Sequence, residues 1–548
     1  MRKIFSALIL LSLSALVLAA NAPGPKQIGK SKVFIAQNWT FDFGETLPPT
    51  FTFKTFGFPT TPVHKSRMES GSAYGYAQEK DEFGNLLLDF TFSPKNRLET
   101  VVLRSFIDTD YSADQPAGEG SLFLSEGVLT ASDSQISAKA REIAGRAKSK
   151  LEELALLTGW VHNRINYDGP GYGASVQNAS WVFYNRVGTC DEYSHLLISM
   201  LRVLQVPSKF VAGFVCSAQC NESRNWGPHA WVEVLVDGKW VSSDPTFNEA
   251  ILLDATHVKF AEGKDQEDIK EQLSVIAFNF PLKDVKLERS SQVSLDEWGG
   301  FPDSFDIELQ VPEAIVGENS VETVVARVKS NSERPLAVPL SINTPVEMEV
   351  RGEQDVMLFL EAGGEKNHSW NVVTPSELKQ GFVYNFTIEV GSLGESSVKH
   401  VVAKKGGDTR QIESIRIKEL RPVLEETTIL IGLDLENTGN KKADAEVRIE
   451  SNAGNSSKTI SIQGGEAKSI EFTFPRIGSA EALAGIVVIA LGEQKIVQPF
   501  NIRLSLPEPS PPPTPQAAAA LSLELVVLIG AVVIVIILGI ALFLLRKS

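Results

Sequence analysis

The stretch that decides the fold is "RVGTCDEYSHLLISMLRVLQVPSKFVAGF", Arg186 to Phe214. Thr189 and Glu192 stand in the T-x-x-E relation of a capping box, which makes Thr189 the N-cap and Cys190 the first helical residue. The helix is expected to bury Leu196, Leu197, Met200, Leu201 and Leu204 and to stop before Pro207. A thiol at a helix N-terminus meets unpaired backbone N–H groups and the positive end of the helix dipole, which favour thiolate. Asp191 and Glu192 push the other way, so a cation nearby would decide the matter.

The candidate cation lies downstream in "GPHAWVEVLVDGKWVSSDPTF", Gly227 to Phe247. His229, Trp231, Glu233 and Leu235 alternate with Ala230, Val232, Val234 and Val236 as in a strand, and Asp237-Gly238 is a two-residue hairpin turn. Pairing Val236 with Lys239 sets Trp231 opposite Asp244 and His229 opposite Thr246, so His229 and Asp244 become diagonal neighbours on one face. An imidazole and a carboxylate can close that span. A cysteine at a helix start and a histidine oriented by an aspartate are the parts of a thiol nucleophile, and the reaction class is acyl transfer from an amide through a thioester. Cys190 as a buried structural thiol, and Cys, His and Asp as metal ligands, are the bland alternatives; neither explains the hairpin, and no metal or other cofactor is expected. His195, one turn beyond Cys190, is expected to be a packed or surface residue. Trp226 and Trp231 are candidate cleft residues, with core packing the rival for Trp231, and Trp240 is expected in the core.

These motifs resemble the transglutaminase-like superfamily of cysteine enzymes, a variant of the papain-like fold. The resemblance rests on the Gly-x-Cys helix start, the passage "LRVLQVPSKFVAGF", "HAWVE", "WVSSDPT", and the preceding "WVHNRINYD" and "NASWVFYNRVGTC", and covers residues 133 to 250 or so. It implies Cys190 as nucleophile, His229 as base and Asp244 as orienting acid. Upstream, "DEFGNLLLDFTF" is similar to the β domain that precedes this core in many microbial members. The superfamily includes crosslinking transferases, proteases, amidases, deglycosylating enzymes and inactive members, so the resemblance leaves the reaction open. Hydrolysis by a protease or amidase on a protein or peptide substrate is the leading expectation; a protein-crosslinking transglutaminase and a non-catalytic binding or adhesion protein are the alternatives.

The 548 residues suggest several domains. Residues 1–22 have the cations, apolar run and small-residue end of a signal peptide. Residues 23–129 read as an N-terminal β domain and 130–290 as the catalytic α+β domain, with helical periodicity from Asp133 carried by Ile136, Ala140, Ile143 and Ala147. Two similar stretches, from Ala326 and from Gly432, suggest immunoglobulin-like β-sandwiches at 303–405 and 408–505. A Pro/Ala-rich stalk at 506–520 leads to one C-terminal transmembrane helix within 521–545, followed by Arg546 and Lys547. The expected fold is thus multidomain, and the expected location is the cell membrane, single-pass, with the ectodomain outside. The net charge of −15 argues against nucleic-acid or anionic-lipid partners, and oligomeric state is not legible. Asn38, Asn178, Asn221, Asn367, Asn385 and Asn455 are candidate N-glycosylation sites that fit an exported chain.

Three cysteines, Cys190, Cys216 and Cys220, leave at least one without an intrachain partner. Only three residues separate Cys216 from Cys220, and a local bridge between them is expected, ahead of a bridge from Cys190 to either and of a metal pair. That pairing leaves Cys190 as the free thiol. Because the expected site lies before residue 250 and the stalk buries nothing, removing everything after 505 should release a soluble protein. Fractionation of the truncated protein checks this; retention with the membranes would mean that another segment anchors it.

Overall fold

Val33, Ile35, Trp39 and Phe41 alternate with less buried residues along β1 (Lys30–Asp42), as a strand with one face on a core requires. A computed structural model describes residues 24–503 apart from 169–175, 276–279, 281, 303, 426 and 476–481. The expected signal peptide, stalk and transmembrane helix lie outside the described residues. Among the described residues no helix is long and apolar enough to cross a membrane.

Five further strands follow β1 before the first α-helix: β2 (Phe51–Phe56), β3 (His64–Ser70), β4 (Ala77–Lys80), β5 (Leu86–Phe92) and β6 (Leu98–Asp110). β1 and β6 pair over their full lengths, from Lys30 opposite Asp110 to Asp42 opposite Leu98. An aromatic core of Trp39, Phe41, Phe51, Phe53, Phe90 and Phe92 forms where these strands meet.

The helical period expected from Asp133 divides into two helices. Asp133 caps Ser134–Ala144, accepting from the N–H groups of Gln135 and Ile136, and Ser149 caps Lys150–Arg164. Ala147 therefore falls in the break between them. A short parallel pair, β7 (Asn166–Tyr167) and β8 (Val187–Gly188), flanks a third helix, Ala179–Asn185, and brings the chain to Thr189. The fourth helix runs from Cys190 to Val203, starting at the expected residue; Leu204 is its C-cap.

The sheet that carries the hairpin has five strands: β9 (Ser208–Cys216), β10 (Trp226–Val236), β11 (Lys239–Asp244), β12 (Glu249–Ala250) and β13 (Val258–Gly263), in the order β12-β11-β10-β9-β13. Val236 pairs with Lys239 and Val232 with Ser243, the register set by the Asp237-Gly238 turn. Both turn residues have positive φ, 49° and 77°, as a type I′ hairpin turn demands. One face of the sheet presents Ala230, Val232 and Val234 to Leu154, Leu157, Leu196, Leu197 and Met200 of the helices. Trp231 and Val211 pack in a different cluster, with Leu253.

The strands after this sheet depart from the expected division at 290. β14 (Gln272–Val275) pairs with β2, and β15 (Lys286–Gly299) pairs with β1 from Lys30 to Asp42. The N-terminal sheets are thus completed by chain from beyond the α+β core, in the orders β15-β1-β6-β3 and β14-β2-β5-β4. Glu271 pins this closure: its carboxylate accepts from Trp39 Nε1 at 2.7 Å, Thr55 Oγ1 at 2.8 Å and Arg289 Nε at 2.8 Å.

Eight strands between Phe305 and Lys404 make two four-stranded sheets whose inner faces share one core around Trp370, Val324, Leu340 and Ile388. Strands between Ile415 and Arg503 make a three-stranded and a four-stranded sheet, with Leu433, Val447, Phe472 and Val487 buried. The protein is multidomain and mostly β, with a small α+β core among several β-sheet regions.

Gly213 lies opposite His229 in the β9–β10 ladder. A Cβ there would meet the Val258 carbonyl oxygen at 2.3 Å and the Trp231 ring at 2.5 Å. Gly213→Ala should therefore destabilise the protein by about 1–3 kcal/mol, the usual cost of overpacking. Denaturant melts of the two proteins check this, and an unchanged midpoint would show that the sheet yields there without cost.

Candidate active site

Glu192 fixes the start of the Cys190 helix, since its carboxylate accepts from the Thr189 N–H at 2.8 Å and the Thr189 hydroxyl at 2.6 Å. Its other oxygen accepts from the Gln177 N–H at 2.9 Å, tying the preceding loop to the same turn. Cys190 is half-buried, and its sulfur donates to Asp191 Oδ1 at 3.7 Å. The backbone N–H of Ala230, next in sequence to His229, also lies against the sulfur. Burial, and then the Asp191 carboxylate, push the thiol well above its usual range, while the Ala230 N–H pulls the other way. The resting cysteine is therefore a neutral thiol. Burial and Asp191 outweigh the helix end.

His229 and Asp244 meet as the hairpin register requires: His229 Nε2 lies 2.9 Å from Asp244 Oδ2. Both side chains are buried, Asp244 completely. Asp244 Oδ1 accepts from the Thr246 N–H at 2.7 Å. Burial works against the Asp244 charge, but His229 and His257 outweigh it and hold the carboxyl far below the ordinary carboxylate range. His229 is stacked between Trp231, at 6.2 Å, and Phe247, at 5.0 Å between ring centroids. With Nε2 engaged by Asp244, proton uptake falls to Nδ1.

Three groups at this site were not among the expected residues. His257 places Nε2 at 3.1 Å from the same Asp244 oxygen. Phe247 covers the imidazole, and Tyr167 stands near Cys190 and Asp191; its partial burial and then the neighbouring acidic groups, Asp191 among them, raise its phenol to about 12. Phe247 and Tyr167 lie within or beside quoted motifs, where an aromatic next to "DPT" or after "RIN" was the available signal. His257 had none.

The remaining candidates divide plainly. Trp231 is fully buried beneath His229 and packs with Val211 and Leu253. Trp226 is buried against the Cys216–Cys220 disulfide and donates from Nε1 to the Cys220 carbonyl at 2.9 Å, so both tryptophans support the site from within the core. Trp240 is buried, with the Lys209 ammonium 3.9 Å above its ring. His195 is buried, stacked on Phe210, and pushed down to about 4 by burial, which excludes it as a second base at the thiol. Of the sequon asparagines, Asn38 is half-buried in β1 and the other five are exposed.

Two overlapping sets, His229–Asp244–His257 and Glu249–Asp254–His257, have donor atoms within 4.8 Å of one another, the spacing of a metal site. In both, the His257 nitrogens already stand at hydrogen-bond distance from oxygens, so protons account for the arrangement.

Residues 137–245 match the model of the transglutaminase-like superfamily, so the chain carries a domain of that superfamily. An uncharacterised protein of Mycobacterium leprae (strain TN) is 23% identical over 113 residues, which is 20% of this chain and 39% of that protein. Among solved structures, a "Putative Cysteine Protease from Cytophaga hutchinsonii" aligns at 16% identity and TM-score 0.37, over 50% of this chain and 94% of the other. Red sea bream transglutaminase aligns at 11% identity and TM-score 0.17, over 85% and 94%.

Glu249 completes the polar surroundings. It is fully buried, and one of its oxygens accepts from the Asp254 N–H at 2.8 Å, while its Oε1 and Asp254 Oδ2 have no hydrogen-bond partner. Burial, with Asp254 beside it, raises the Glu249 carboxyl from 4.5 to about 8. A carboxyl raised on folding binds its proton more tightly in the native state, so its contribution to stability is present below 4.5 and is lost as pH rises towards 8. Glu249→Gln removes that loss. The variant should match the wild type near pH 4.5 and become the more stable of the two as pH approaches 8; denaturant midpoints across that window check it, and parallel curves would refute it.

Proposed function

We propose that this chain is a cell-surface, membrane-anchored cysteine enzyme that cleaves peptide or glutamine-type amides through a thioester, with Cys190 as nucleophile, His229 as base and Asp244 as the group that orients it. The observation that carries the reading is the His229–Asp244 contact, which commits Nε2 and leaves Nδ1 to take a proton, on the strand whose next N–H lies against the Cys190 sulfur. The transglutaminase-like match over 137–245 supports the same assignment. The anchor and outward orientation rest on the terminal sequence segments, and the two C-terminal sheet pairs act in this reading as immunoglobulin-like spacers.

The chemistry follows from these groups. The Cys190 proton passes to His229 Nδ1, and the sulfur attacks the amide carbonyl carbon. Asp244, holding Nε2–H, stabilises the imidazolium that forms. His229 then gives the proton to the departing nitrogen, the C–N bond breaks, and the acyl group remains on sulfur as a thioester. Water, losing a proton to His229, attacks the thioester carbonyl; the C–S bond breaks and the thiol recovers its proton. An amine in place of water gives a crosslinked amide by the same steps.

Cys190→Ala and His229→Ala should each lower turnover by roughly 10⁴-fold or more without unfolding the protein, and Asp244→Asn should lower it least. Because the three act as a unit, double variants should lose no more than the worse single one. The check is a peptide and glutamine-substrate screen of the full chain, scoring both product acid and incorporation of a labelled amine. Losses that multiply would count against the triad, and dominant amine incorporation would make the enzyme a crosslinker.

A further inference from the structure

His257 is the one imidazole at the site for which the hairpin has no need. It follows a buried return of the chain through Asp254 and immediately precedes β13, and its side chain is fully buried. Nε2 lies 3.1 Å from Asp244 Oδ2, the oxygen that His229 also uses. Nδ1 lies 3.1 Å from the Asp254 carbonyl oxygen and 3.4 Å from Asp254 Oδ1. A carbonyl oxygen cannot donate, nor can an ionised carboxylate. Each ring nitrogen of His257 therefore faces acceptors alone. A neutral imidazole would turn a lone pair on one of them; an imidazolium satisfies both.

The groups around it agree. Asp244 and Asp254 supply negative charge on its two sides, and the Glu249 carboxyl takes its proton readily. His64 Nε2 and the Tyr111 hydroxyl meet only the backbone carbonyl of His257, at 3.0 and 3.2 Å, and burial keeps both neutral. Lys259 is taken up by Glu233 and Glu262. His229 is the nearest other titratable ring, at 5.6 Å between centroids.

We infer that His257 is a positioning residue of this site, a fixed imidazolium that shares the Asp244 oxygen with His229 and, by holding part of that carboxylate's charge, keeps His229 neutral until the Cys190 proton arrives. The inference deepens the cysteine-enzyme reading and rests on it. It sets the base ready to accept: an imidazole already protonated by an unshared carboxylate could not take the thiol proton.

The test needs no substrate. Alkylation of Cys190 by iodoacetamide is followed across pH in the full chain, by mass spectrometry of its peptide. His257→Gln keeps a donor for Asp244 and removes the charge, so His229 should hold its proton to higher pH and the imidazolium–thiolate pair should gain on the neutral pair, with the acid inflection rising by about one unit and alkylation above it rising about tenfold. His257→Lys, which keeps charge and donor, should stay near the wild-type profile. Should the Gln protein fail to fold, His257→Asn carries the same comparison. A Gln or Asn profile that superimposes on the wild type, or equal shifts in the uncharged and Lys variants, would overturn the inference while leaving the triad intact. His229→Ala should collapse the profile to that of a lone thiol; if it does not, the Cys190–His229 reading fails and this inference with it.

Discussion

A carboxylate with no access to water is the constraint around which this core is arranged. Asp244 is completely buried, and an unpaired charge in that position would cost several kcal/mol. It is kept ionised by three N–H groups, from His229, His257 and the Thr246 backbone. Each comes from a different part of the chain. The β10–β11 hairpin delivers the first, the turn beyond β11 the third, and the return into β13 the second, so strands on the β10 side of Asp244, out to β13, must be in place before its charge is satisfied. Folding and assembly of the site are then one event.

The two sets of groups on the sheet divide the work. Ala230, Val232 and Val234 bury the Cys190 helix and fix the height of the thiol by ordinary apolar packing. The strand positions between them carry polar chemistry: His229 near one end, and further along Glu233, which with Lys209, Lys259 and Glu262 forms a buried ion quartet. Trp231 sits between His229 and Glu233 in sequence, fully buried. Packing one residue of bulk between the two polar groups separates the His229 imidazole from a cluster of buried charges, so that each keeps its own surroundings.

The legibility of the site follows from the range of its interactions. The Cys190 helix start and the His229–Asp244 pair are local, set by a capping box and by a turn of two residues with positive φ, and short-range rules fix both. His257 escapes because its contact depends on how the chain travels from β11 to β13, which no periodicity records. The helical stretch after Asp133 looked continuous because Ala147 keeps the spacing, although Gly145 and the Ser149 cap end one helix and start another. The outer boundary of the N-terminal sheets was hidden for a different reason. Most of β15 is exposed, so it lacks the apolar alternation that betrays a strand, and its partner β1 lies some 250 residues earlier in the chain.

The electrostatics also bear on why a free thiol can persist in a chain proposed to face outward. The thiolate is the form that attacks oxidants and disulfides, and a cysteine whose resting form is the neutral thiol offers little of it. Burial and Asp191 hold Cys190 in that form, while the other two cysteines are consumed by their own bridge. The helix end alone would have favoured the thiolate, and with it oxidation. In the proposed mechanism, placing an acid beside the thiol leaves control of its proton to His229, whose readiness depends in turn on how Asp244 divides its charge between two imidazoles. On that proposal, reactivity is tied to the geometry of the assembled site and withheld from the cysteine by itself.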